Sequence, residues 1–170
     1  LSTLVSNPEF FVKFILEAFA SPIIGIEVVS NVIKTSAGVC LLGAVVIFFY
    51  LLALWMNVKY RLWERTILPL MLILIGGVNH ALVLYSRWIF LQENYGMASR
   101  YAIQYEMGIF GILLTFAAVF ALKRERKQVL AVLAGGFICL LLAGNFYTTR
   151  EELLKAPLRK LSLEQTIETA

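Results

Sequence analysis

The chain contains no aspartate; all 11 of its acids are glutamate. Histidine occurs once, at position 80, and cysteine only at 40 and 139. One histidine cannot make a bis-histidine haem site or a histidine-rich metal centre, and there is no Cys-x-x-Cys pair. The two cysteines lie at different depths of separate apolar runs, so a bridge would require the backbone to move. They read as small packing residues. A glycine-rich nucleotide loop, a nucleophile elbow and a zinc motif are also missing. No cofactor is expected. Charge is scarce too: charged residues are 15% of the 170 and apolar ones 60%, against roughly 25% and 45–50% in soluble domains.

What fills the chain is hydrocarbon. Residues 36–56, 66–86 and 129–149 each run without Asp, Glu, Lys or Arg. Roughly 20 apolar residues as a helix cross the ~30 Å core of a bilayer, where only a helix or a closed barrel satisfies its own backbone. A fourth span is expected over residues 101–122. Residues 10–33 are apolar but carry Lys13, Glu17, Glu27, Pro22 and Gly25. Lys13 and Glu17 are four apart and can neutralise each other on one face. This first segment reads as a broken or tilted span; the alternative is an amphipathic helix lying in the interface.

The expected fold is therefore an all-α integral membrane bundle of about five transmembrane helices, or four if the first is interfacial. Residues 1–149 form the membrane domain and 150–170 a polar tail, in which Pro157 is expected to break any helix. The chain starts at Leu1 rather than Met and is expected to be a processed chain or a portion of a longer one.

Cations cluster in two short loops. Residues 57–65 hold Lys59, Arg61 and Arg65 against Glu64, and residues 123–128 read Lys-Arg-Glu-Arg-Lys-Gln. Positive charge in short loops marks the cytoplasmic side. Two spans separate these loops, so both face the cytoplasm at once, leaving loop 87–104 and the C-terminus outside. Neither loop has the stripe of cations and stacking aromatics that nucleic-acid binding favours, and no nucleic-acid partner is expected.

Polar side chains inside hydrocarbon cost several kcal/mol unless paired or hydrated. In this orientation they gather towards the outer leaflet: Glu27 and Asn31, Asn79 and His80, Asn145, and then Arg87, Arg100, Tyr101 and Glu106 at the helix ends. The inner half reads as plain. His80 and Arg87, seven apart, share a helix face. Arg87, Arg100, His80, Asn145 and Glu27 converging on one outer cavity, with Tyr101, would suit a phosphate, because Arg offers a planar donor fork. The competing reading makes Asn and His interhelical glue, and Arg and Tyr interface anchors.

Residues 85–108 read YSRWIFLQENYGMASRYAIQYEMG. Arg87, Gly96 and Ser99-Arg100-Tyr101 resemble a pattern near the C-terminal end of a large group of bacterial polytopic membrane proteins, many of them assigned as glycosyltransferases of cell-envelope glycan assembly. The similarity covers roughly residues 8–160, its specific part about ten positions. The resemblance implies a bacterial inner membrane protein contacting a polyprenyl-phosphate-linked sugar through Arg87 and Arg100, with Tyr101 and His80 orienting them. Ser86 stands where the group has Gly. An acidic catalytic residue in an early outer loop, usual in such enzymes, has no counterpart, so no complete catalytic constellation is expected in this chain. The rival function is a non-catalytic scaffold or anchor, with Gly76-Gly77 and Gly135-Gly136 packing on protein subunits of a larger complex. A transporter fits less well, since mid-membrane charge and internal duplication are missing.

Overall fold

The computed structural model describes residues 7–29, 36–87, 97, 99–122 and 127–168, with the side chains of 27, 99, 100, 102, 127 and 158–168 left out of that set. Helix α1 is Pro8–Ala20, α2 the short turn Ile26–Val28, α3 Ser36–Lys59, α4 Leu68–Arg87, α5 Ser99–Leu122 and α6 Lys127–Glu168. No strand occurs among the described residues. The bundle is all-α.

Four helical stretches are long and apolar enough to cross a membrane: Ser36–Lys59, Leu68–Arg87, Ile103–Leu122 and Gln128–Pro157. The 24 residues of α3 make about 36 Å of helix at ~1.5 Å each, more than the ~30 Å hydrocarbon core. Polypeptide with such apolar surface on nearly all sides belongs in lipid. Exposed Leu41, Leu51, Leu74, Leu82, Val132 and Leu142 mark the outward faces.

The first segment forms no helix of membrane-crossing length among the described residues. Helix α1 has 13 residues, about 20 Å at that rise. Pro8 starts it, where a missing N–H costs little. Pro22, also without an N–H to donate, follows its last turn, and the chain folds over through Ile23 and Ile24 amides bonded to the Ala20 carbonyl at 2.9 and 3.1 Å. Phe10 and Phe14 pack with Val83, Leu84 and Tyr101 at one end of the bundle. Phe19 reaches Tyr50 and His80. Val28 and Val29 then return to Val39 and Met97, the end where the segment began. Residues 8–29 thus dip in and turn back. The interruption was visible in Pro22 and Gly25; its direction is set by tertiary contacts.

Glycines set the closest approaches. Gly43 lies against the backbone of Leu16, Gly76 against Gly108 and the Tyr50 hydroxyl, and Gly144 against the Ile23 carbonyl; a Cβ at any of these would collide. Helices α4 and α5 run antiparallel in tight register, locked by the Asn79 amide donating to the Gln104 carbonyl at 3.1 Å. Without a hydrophobic drive between helices in lipid, such backbone proximity and van der Waals contact hold the pair. A central apolar cluster joins α3, α5 and the first half of α6 through Val46, Phe49, Ile112, Phe116, Leu130 and Phe137.

The tail differs from expectation. Helix α6 continues for 42 residues, straight through Pro157. Proline removes one hydrogen bond, to the carbonyl four residues back. That carbonyl belongs to Leu153, an exposed residue next to the polar Arg150–Glu152 segment.

Candidate functional site

The α4/α5 register builds the most unusual side-chain arrangement in the bundle. Phe19 and Tyr105 sandwich the His80 ring, each with its centroid 3.9 Å away and nearly parallel, at 16° and 11°. Tyr50 meets the same ring edge-on at 6.1 Å. Four elements therefore converge on one imidazole: α1, α3, α4 and α5. His80 is 4% exposed, and neither ring nitrogen has a hydrogen-bond partner among the described residues. The imidazole is held by its faces and acts as an aromatic plate in the core.

Beside it lies a cavity of about 250 Å³ between α1 and α4, walled by Phe14, Ile15, Ala18, Phe19, Gly77 and Ala81, with His80 and Leu84 completing it. Gly76 and Gly77 have separate jobs. Gly76 is pressed against Gly108, whereas nothing lies within 4 Å of a Cβ added at Gly77. Gly77 keeps the cavity open rather than the helices close.

The expected site residues divide. Arg87 is the last residue of α4, one turn beyond Leu84 of the cavity wall. Tyr101 packs half-buried on the Phe14–Val83–Tyr105 cluster. Arg100 belongs to the first turn of α5 and Glu27 to α2, but both side chains lie outside the described residues, as do Asn31 and Gly96. Asn145 is engaged elsewhere. Its amide donates to the Pro22 carbonyl at 3.3 Å and to the Leu141 carbonyl at 3.0 Å. One turn on, Thr148 Oγ1 accepts from the Gly25 amide at 2.9 Å and donates to the Gly144 carbonyl. Together they tie α6 to the turn that reverses the first segment.

The bundle holds a second buried polar contact. Near the other end, buried Asn57 donates through Nδ2 to Thr115 Oγ1 at 2.8 Å and to the Ala53 carbonyl at 2.9 Å. Thr115 Oγ1 in turn donates to the Gly111 carbonyl at 2.8 Å. Neither residue was singled out from sequence: Asn57 stood at a loop boundary and Thr115 was a lone hydroxyl in an apolar run. The Asn57 position, one residue past Met56 at the end of a run, was the available signal. The Lys13–Glu17 pair does form, at 3.8 Å, with Glu17 buried. Cys40 and Cys139 are both free thiols.

Fold and surface together define the class: an all-α integral membrane protein with several membrane-crossing helices. No family model, no curated protein and no solved structure matches the chain. Among the described residues no three His, Cys or Glu side chains group as metal ligands would.

Proposed function

We propose that this chain is the membrane module of a glycosyltransferase-like protein of envelope-glycan assembly, contacting a lipid-linked phosphate sugar at one face of the membrane. The observation that carries the reading is the antiparallel α4/α5 register. It brings Arg87, at the end of α4, and Ser99-Arg100-Tyr101, at the start of α5, to the same end of the bundle. Cations at that level suit a phosphate.

The cavity between α1 and α4 supports the same reading. Gly77, Ala81 and Leu84 of its wall recur at helical spacing along one face of α4, and Arg87 closes that row. A hydrocarbon chain in the cavity and a phosphate at Arg87 describe one lipid. In the orientation set by the basic loops, this end faces away from the cytoplasm.

The test is binding of polyprenyl phosphate in vesicles to the reconstituted chain. Arg100→Ala and Arg87→Ala are each expected to weaken it about tenfold or more, the scale of a lost charge-assisted hydrogen bond. Binding equal to wild type in both folded variants ends this reading.

A second reading, a non-catalytic scaffold or anchor of a larger membrane complex, rests on α6. The membrane-crossing part of that helix is only 11% buried, and its Gly135 and Gly136 meet nothing within 4 Å of an added Cβ. Small residues on an open helix face suit a partner helix. Stable co-purification with a large subunit supports it; a lone monodisperse protein counts against it.

A further inference from the structure

The end of the bundle opposite Arg87 carries a second, polar cavity of about 360 Å³, lined by Lys59, Tyr60, Arg61, Glu64, Arg65 and Leu122. Its wall is built by a tight reversal. Helix α3 ends at Lys59, Arg61 takes the left-handed conformation at φ 46° and ψ 49°, and the single turn Leu62–Glu64 leads into Arg65. Leu62 is 1% exposed and anchors this turn in the core, so the cations around it project from a fixed frame.

Three cations face one acid across this cavity. Glu64 meets Arg61 at 3.5 Å, with both side chains more than half exposed. Lys59 is held over the rings of Trp55 and Tyr60, 4.1 and 5.9 Å from their centroids. A cation over an aromatic face keeps its full charge and has donors left for an anion. Exposed Trp55, under the Lys59 ammonium, and exposed Trp63, next to Glu64 in the chain, suit a membrane–water boundary, and Leu122 gives the cavity one apolar side.

We infer that this cavity binds the phosphate of an anionic phospholipid headgroup drawn from the adjoining leaflet. A net positive pocket between helix ends at the interface recognises such headgroups, and the two tryptophans with Leu122 favour a lipid over a dissolved anion. The site stands at the other end of the bundle from the arginines considered above, and its fate is independent of theirs.

The experiment measures retention of phosphatidylglycerol by the full chain in nanodiscs containing phosphatidylglycerol and phosphatidylcholine, using native mass spectrometry. Arg65→Gln and Lys59→Gln are each expected to lower the affinity about fivefold, the worth of one cation near a membrane surface. Glu64→Gln removes the opposing charge and is expected to raise affinity by a similar factor, an outcome that misfolding cannot imitate. Arg150→Gln, at the far end, leaves retention unchanged. Equal retention by wild type, Arg65→Gln and Glu64→Gln overturns the site. Displacement of phosphatidylglycerol by millimolar inorganic phosphate overturns the lipid assignment in favour of a soluble anion.

Discussion

Asn57 and Thr115 form the clearest polar contact between membrane helices, although the Asn57 Oδ1 has no partner among the described residues. The Thr115 hydroxyl accepts from Asn57 while donating to its own helix at Gly111, so lone pair and proton are both used. Asn57 also returns a bond to Ala53. Thr115→Val keeps the shape and removes the acceptor. It is expected to destabilise the bundle by about 0.5–2 kcal/mol, the range for interhelical hydrogen bonds in lipid. Unfolding in mixed SDS micelles measures this, and pairing it with Asn57→Leu in a double-mutant cycle isolates the coupling. A coupling of zero would mean that the two side chains pack without bonding. His80 is the opposite case, a polar residue in the core whose nitrogens bond nothing among the described residues. Its neighbours Phe19 and Tyr105 suggest that His80→Phe, which keeps three stacked rings, costs far less than His80→Ala, which empties the middle of the stack. The same unfolding assay separates the two.

A polar residue within an apolar run is easy to find in a sequence; what it bonds to is not. Asn145, Asn79 and His80 all stood out as costly side chains. Packing then gave them three different fates: Asn145 holds the Pro22 turn, Asn79 fixes the α4/α5 register, and His80 is stacked. The partners are a carbonyl 123 residues away for Asn145, one 25 residues away for Asn79, and ring faces on other helices for His80. Residue type and periodicity carry no information about either.

At the scale of the element, glycines decide which helix faces meet. The pairs Gly76-Gly77 and Gly135-Gly136 look alike in sequence, and only one of those four residues touches another helix closely. Gly76→Ala and Gly43→Ala would drive a methyl into backbone or the Tyr50 hydroxyl, and are expected to cost about 1–3 kcal/mol, as overpacking does. Gly135→Ala and Gly77→Ala add a methyl to open space and gain helix propensity. They are expected to be neutral or slightly stabilising. A thermal-shift series in detergent reads all four, and equal losses throughout would contradict this packing. Span existence was legible because length and apolarity are local properties. The continuation of α6 through Pro157 was not, since the cost of a proline depends on whether the orphaned carbonyl meets water or lipid.

For the whole molecule the decisive feature is the reversal of residues 8–29. Four crossing helices leave the start of α3, the end of α4 and the start of α5 on one side, with the Lys59–Arg65 turn on the other. If the first segment crossed as a fifth helix, residue 9 would lie with Glu64. Because Phe10, Phe14, Val28 and Val29 all pack at the Arg87 end, residue 9 belongs with Ser99. Single cysteines at Glu9, Glu64 and Ser99, in a background with Cys40 and Cys139 replaced by alanine, test this with an impermeant maleimide on intact cells and on inverted vesicles. Positions 9 and 99 are expected to label from one side and 64 from the other. The positive-inside rule further assigns 64 to the cytoplasm. Labelling of 9 together with 64 would turn the first segment into a span. It would then separate Phe19 from the His80 stack and remove the α1 wall of the cavity on which the lipid reading depends.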